Sequence, residues 1–214
     1  KRSAMAALRI AVDMVKEGLI THEQAVMRLT TEQLDELLRP VFDETASEQA
    51  RVLAKGLPAG PGAATGRVYF SADRAVAQAK QGPVILARPE TNPDDIHGMA
   101  AAEGIVTATG GMTSHAAVVG RGMGKVCVVG CAALDMDEHA GTMSFGGEKF
   151  KEGDWLSLDG FKGRVLEGRV HLGVHEGVMD EPGLAGLVEG AGRGYAGDAH
   201  PGPPPARRFR EGGA

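Results

Sequence analysis

The sequence has little of what several function classes require. Aromatic residues make up only 4% of the 214, and Lys and Arg (23) are outnumbered by Asp and Glu (28), for a net charge of −5. With neither a basic field nor stacking side chains, no nucleic-acid partner is expected. No apolar run approaches the roughly twenty residues of a membrane span, and no signal-peptide pattern opens the sequence. No membrane partner is expected either. Cys127 and Cys131 are the only cysteines, too few for a disulfide framework in a chain this long. Their spacing is not CxxC and no histidine lies close by, so no metal site is expected. A reducing cytoplasm is the expected setting, with an organelle as the eukaryotic alternative. What is abundant is glycine, at 32 residues, within a 43% hydrophobic composition that suffices for one medium domain plus attachments.

The most informative stretch runs from Thr107 to Gly130, TATGGMTSHAAVVGRGMGKVCVVG. An apolar run from Gly104 to Ala108 of strand type meets a Gly110-Gly111 turn. An Ala- and Val-rich segment follows, and it starts at Thr113 or Ser114, both N-cap residue types. A helix beginning there carries His115 in its first turn. The first N–H groups of a helix lack intrahelical acceptors and its dipole is positive at that end, so an anion such as a phosphoryl group is held there. A neutral imidazole offers a nitrogen nucleophile near pH 7. The glycine pair lets backbone approach the anion closely. His115 is therefore the candidate nucleophile; a capping or partly buried polar role is its ordinary alternative.

Other motifs resolve more simply. GRGMGK, Gly120 to Lys125, lacks the Ser or Thr that a phosphate loop needs after its Lys and follows a helix instead of preceding one. It reads as a helix terminus returning to a strand. Arg121 within it suits either a phosphate contact or a surface salt bridge. His171 and His175 are four apart, but Gly173 and strand-like surroundings spoil a helical metal pair. No GxSxG elbow surrounds Ser114.

Along the chain, Met5, Leu8, Val12 and Val15 predict an amphipathic helix that Gly18 ends. Thr21 to Gln24 and Thr30 to Gln33 are capping boxes that start two further helices, through Leu29 and up to Pro40. The carboxylates of Asp35 and Glu36 read as a solvated face. Gly56 to Gly62 reads as a boundary of turns. Apolar runs at 67–70, 84–87, 105–108 and 126–129 then alternate with helical pieces, an α/β pattern. In RPETNPDDI, Asn92 caps, Pro93 takes the first helical position and Asp95 completes the box, with Asp94 and Asp95 as helix-dipole partners. Hairpin signals follow Gly130, through TMSF, Gly146-Gly147 and EKF to DWLSLDG and GRVLEG; these strands are expected to cover one sheet edge, with Trp155 in the core. From Glu176 the composition turns to Gly and Pro, including Pro203-Pro204-Pro205.

GGMTSHAAVV with RGMGK and CVVGC resembles the phosphohistidine segment of the pyruvate, phosphate dikinases, within the phosphoenolpyruvate-utilising phosphotransferases. GLITHEQAVMRL with LDELLRPVFD resembles the connector after their nucleotide-binding region, and GGEKFKEGDWLSLDGFKGRVLEG resembles the closing strands of their phosphohistidine domain. Met112 and Ser114 favour the dikinases over phosphoenolpyruvate synthases and the sugar-system phosphotransferases, which have Arg before the Thr; the synthases also have Cys at the Ser114 position. The resemblance covers roughly residues 4 to 174 and fades beyond.

The resemblance implies an α/β, swivelling β/β/α phosphohistidine domain at 51–175, a helical linker at 1–50 and a Gly/Pro-rich linker or tail at 176–214. It implies that His115 relays a phosphoryl group from ATP to pyruvate, with phosphate as second acceptor. Gly110, Gly111, Thr113 and Ser114 form the phosphate loop and helix N-terminus, with Thr91 beside the histidine and Arg121 near it. Thr113 matches a regulatory phosphorylation site of plant members, which implies a regulatory kinase and phosphatase. Mg²⁺ is implied, with ligands mainly on other domains. The implied partners are a nucleotide-binding domain and a phosphoenolpyruvate/pyruvate barrel within a homodimeric enzyme, so this chain alone is expected not to complete turnover. A stand-alone phosphocarrier module is the alternative outside enzymes.

Overall fold

The computed structural model describes residues 4–137 and 141–173, apart from the side chains of Asp35 and Leu38. The segment from 176 onward and His175 lie outside the described residues. Three helices lead: α1 (Ala4–Lys16), α2 (His22–Met27) and α3 (Thr31–Leu38). Both predicted capping boxes are formed, Thr21 with Gln24 and Thr30 with Gln33. Gly18, left-handed at φ 70°, stands just beyond the first helix. Ala4, Leu8 and Leu37 make a small core there, and Glu36 is exposed.

Two elements then precede the expected domain start. Strand β1 (Val41–Phe42) and helix α4 (Glu44–Gln49) are tied to the later strands: the Arg164 guanidinium donates to Ser47 Oγ at 2.8 Å, and Ala63 N–H donates to Pro40 O. A boundary at residue 51 therefore falls after elements that bind to the domain. The turn chemistry of Gly56 to Gly62 concealed a strand as well. Strands β2 (Val52–Lys55), β3 (Leu57–Gly60) and β4 (Ala63–Tyr69) succeed one another, and β3 pairs with a strand seventy residues on, where a Cβ at Gly60 would collide with Lys125 O.

The remainder alternates as the apolar runs predict. Helix α5 (Ala72–Ala79) precedes β5 (Val84–Arg88); a 3-10 turn (Pro93–Asp95) and α6 (Ile96–Ala101) precede β6 (Gly104–Thr107); α7 (His115–Gly122) precedes β7 (Val126–Val129). Then come β8 (Leu134–Asp137), β9 (Thr142–Phe145), β10 (Glu148–Lys151), β11 (Trp155–Asp159), β12 (Arg164–Glu167) and β13 (Leu172–Gly173).

The strands form an eight-stranded sheet ordered β2-β12-β11-β4-β5-β6-β7-β3, a three-stranded sheet β10-β9-β8, and the pair β1-β13. Strands β4 to β7 run parallel. Side chains alternate across them, because successive residues of a strand face opposite ways. Ile85, Ala87, Val106 and Val128 join Met143, Phe145 and Phe150 of the small sheet in one core. Val84, Leu86, Ile105 and Val129 join Ala75, Met99, Ala116 and Ala117 of the helices in the other. The layers are thus small sheet, large sheet, helices, which is the β/β/α arrangement.

The late strands divide differently from the expectation. The hairpin β9-β10 belongs to the small sheet, while β11 enters the large one between β12 and β4. Trp155 is only half-buried; the guanidinium groups of Arg67 and Arg169 lie 5.6 and 4.9 Å from its ring centroid. It is a half-buried residue at the start of an interior strand, stacked by cations, and not a core residue. Cys127 and Cys131 are free and buried, and burial pushes both thiols up to about 12.

Candidate functional site

The site is assembled from two loops at the carboxyl ends of neighbouring parallel strands, the usual position for ligand sites in open α/β sheets. Arg88 and Thr107 are register partners at the ends of β5 and β6. From Arg88 the chain enters the turn that carries Thr91; from Thr107 it enters the glycine turn that leads to His115. The two loops are bridged by Thr109, whose N–H and hydroxyl both donate to Pro89 O, at 3.0 and 3.1 Å.

His115 is the first residue of α7. Ser114 is its N-cap, in extended backbone conformation, with Oγ accepting the Ala117 N–H at 3.4 Å. Gly110 is left-handed (φ +103), and a Cβ there would lie 3.0 Å from the Ser114 hydroxyl, so glycine is required at this corner. Gly111 has open space around it and its carbonyl accepts the Ser114 N–H at 3.0 Å. Thr113 is exposed, as is Met112, while Ser114 and His115 are half-buried.

Thr91 is 3% exposed, and its Oγ1 stands 3.1 Å from Nδ1 of His115. When Nδ1 carries the only ring proton and donates to Oγ1, Nε2 keeps its lone pair. A ring in that form offers a nitrogen lone pair beside the first N–H groups and positive dipole end of α7. An electrophile carrying negative oxygens matches that end.

Arg121 behaves otherwise than expected. It sits near the far end of α7, its Nε donating to Ala59 O at 3.1 Å and its Nη2 to Met112 O at 3.2 Å. It holds the turn before His115 against β3. Helix α7 closes beyond it as the sequence predicted: Lys125 N–H donates to Gly120 O and Gly124 N–H to Arg121 O, with Gly124 left-handed at φ 69°.

The model of the PEP-utilising enzyme mobile domain matches residues 80–163, a span that contains both loops. Pyruvate, phosphate dikinase of Clostridium symbiosum is 54% identical over 171 residues, covering 79% of this chain and 20% of that protein. The chain contains the mobile domain of the phosphoenolpyruvate-utilising enzymes. Chloroplastic pyruvate, phosphate dikinase of Flaveria pringlei is 52% identical over 170 residues, 79% of this chain and 18% of its own. The chloroplastic enzyme of Mesembryanthemum crystallinum is 46% identical over 190 residues, 88% of this chain and 19% of its own. That last match is too long to end at Val174, so the likeness reaches into the segment where the pattern was expected to fade. The chain spans about a fifth of the length of the curated relatives it matches.

In this phosphoenolpyruvate-utilising mobile domain the structure brings together His115, Thr91, Ser114 and the glycine turn, and it adds three residues that sequence reading did not place at the site. Thr109 ties the loops. Arg88 and Asp95 close the Thr91 turn: each Asp95 oxygen lies 3.4 Å from Arg88 Nε, and Oδ2 accepts the Asn92 N–H at 3.1 Å. The predicted capping box was the only signal for Asp95; its partner Arg88, seven residues back, had none. Asp94 is exposed, at the turn's surface. No helix among the described residues is long and apolar enough to cross a membrane.

Proposed function

We propose that this chain is the phosphohistidine carrier domain of a pyruvate, phosphate dikinase, in which His115 relays a phosphoryl group from ATP to pyruvate. The observation that carries the reading is the nucleophile geometry: an imidazole in the first turn of α7 whose Nδ1 is hydrogen-bonded to the buried Thr91 hydroxyl. The names of the relatives support the choice of dikinase over synthase or sugar-system enzyme.

In this reading Nε2 attacks the β-phosphorus of ATP. The N–P bond forms as the bond to the AMP oxygen breaks, leaving a pyrophosphoryl group on His115. Inorganic phosphate then takes the terminal phosphoryl to give pyrophosphate, and the enolate oxygen of pyruvate takes the remaining one to give phosphoenolpyruvate. The Gly110-Gly111 turn and the first N–H groups of α7 hold the transferring oxygens. A covalent relay suits the task because the two half-reactions need different clamps, and a swivelling domain carries the group between them. Mg²⁺ belongs to the same reading. Among the described residues no three His, Cys, Asp or Glu side chains come together as a metal site, so its ligands are assigned to other domains and no step here runs through it.

The partners in this reading are a nucleotide-binding domain and a phosphoenolpyruvate/pyruvate barrel of one homodimeric enzyme, in the cytoplasm or in an organelle. Thr113, exposed two residues before His115, is the proposed site of a regulatory phosphorylation by a partner kinase and its phosphatase.

The deciding experiment incubates the chain with a dikinase nucleotide-binding domain and ATP labelled in the β-phosphate. The expected product is an acid-labile, base-stable label that His115→Ala removes. A folded chain that takes up no label overturns the carrier assignment.

A further inference from the structure

Two carboxylates are buried among the described residues, Asp95 at 6% exposure and Asp159 at 4%. The Asp159 oxygens are accounted for in its own turn: they accept the Phe161 and Lys162 N–H groups and pair with Arg164 at 2.7 Å. Asp95 is different, because the turn it closes carries Thr91.

A buried ion pair is a weak source of stability, since desolvation offsets most of its attraction and a well-packed apolar pair often serves as well. What it supplies that an apolar pair does not is direction. Arg88 and Asp95 stand at the two ends of the segment that contains Thr91, with side chains 20% and 8% exposed. Arg88 Nη1 donates to Phe70 O at 2.9 Å, which anchors the pair to the end of β4. Asp95 reaches back to the Asn92 N–H, the backbone group next to Thr91. Thr91 lies between these anchors, with its Oγ1 3.1 Å from His115 Nδ1.

We propose that Asp95, paired with Arg88, is a positioning residue for His115 that acts through Thr91: it fixes the turn so that the threonine oxygen accepts the Nδ1 proton, which leaves the lone pair on Nε2. The consequence for phosphoryl transfer rests on the function proposed above. The effect on the imidazole does not.

The test therefore reads the imidazole itself. In the full chain labelled with ¹⁵N-histidine, with His115→Ala to assign the signal, nitrogen shifts at a pH where the ring is neutral report which nitrogen carries the proton. The wild-type chain is expected to show the proton on Nδ1. Asp95→Asn is expected to move the tautomer ratio about three- to tenfold toward Nε2–H, the range of one ordinary hydrogen bond. Arg88→Lys should move it in the same direction, and it carries the test if Asp95→Asn does not fold. In a Thr91→Val background neither change should add anything, whereas Thr91→Ser should keep the wild-type ratio and the response to Asp95→Asn. The proposal is overturned by a wild-type proton on Nε2, by unchanged His115 signals in the folded variants, or by equal shifts with and without Thr91. Labelling of the same variants with β-labelled ATP is read separately: a wild-type chain that takes no label removes the carrier reading and leaves the tautomer result standing.

Discussion

Thr91 and Thr113 flank the same histidine in opposite surroundings, and the difference decides what each hydroxyl can do. Thr91 is 3% exposed; a hydroxyl removed from water must find a partner, and His115 Nδ1 at 3.1 Å is that partner. Thr113 is exposed and open to a modifying enzyme. Under the proposed function, negative charge at Thr113 would oppose an incoming polyphosphate across a few ångströms. Thr113→Asp is expected to fold normally, because acidic groups are tolerated at a helix N-terminus, yet to lower His115 labelling at least about tenfold by like-charge repulsion. Thr113→Val should label at the wild-type rate. Unimpaired labelling of a folded Thr113→Asp chain would remove the regulatory reading and leave the carrier reading intact.

At the level of the element, α7 is determined at both ends by local chemistry and along its length by packing. Its Ser114 cap and the glycine that closes it were legible in the sequence, as were the capping boxes of α2, α3 and the Asn92 turn, because caps depend on residues three or four apart. The reason for Gly120 was not legible. A Cβ there would lie 2.6 Å from the Cys127 sulfur, so this mid-helix glycine lets α7 lie directly on β7. Gly120→Ala should gain helix propensity but lose more through overpacking, about 1–3 kcal/mol net of accommodation. Urea denaturation should show the lower midpoint, and adding Cys127→Ala should recover part of it. An unchanged midpoint would mean that the interface yields at no cost.

For the whole molecule, the pairing of β1 with β13 brings the first strand beside the last among the described residues, Val41 opposite Gly173 and Phe42 opposite Leu172. Under the proposed function, this pairing of early and late strands suits a body that turns as a unit between partners. The proposed carrier role demands such partners, since neither a nucleotide clamp nor an enolate site is assigned to this chain. Incubated alone with ATP, phosphate and pyruvate, it is expected to form no phosphoenolpyruvate above background. Sustained turnover by the isolated chain would contradict the division of labour proposed here.

The sequence by itself determined the α/β alternation, the ends of the helices, the apolar core strands and the candidate nucleophile with its glycine turn, all of which arise from periodicities and contacts within a few residues. Only the tertiary structure decided the rest. The pairing of β3 with β7, the placement of β11 beside β4, the stacking of Arg67 and Arg169 on Trp155 and the tie from Thr109 to Pro89 join residues about fourteen to ninety-six apart, whose side chains meet only after folding. Local pattern reports which residues can form an element; which side chains then share a site depends on the register of strands that no local pattern encodes. His115 could be read from its own neighbourhood and Asp95 from its capping box, whereas the pairing of Asp95 with Arg88 became visible only on folding, and the tie of Thr109 to Pro89 only when β5 and β6 were laid side by side.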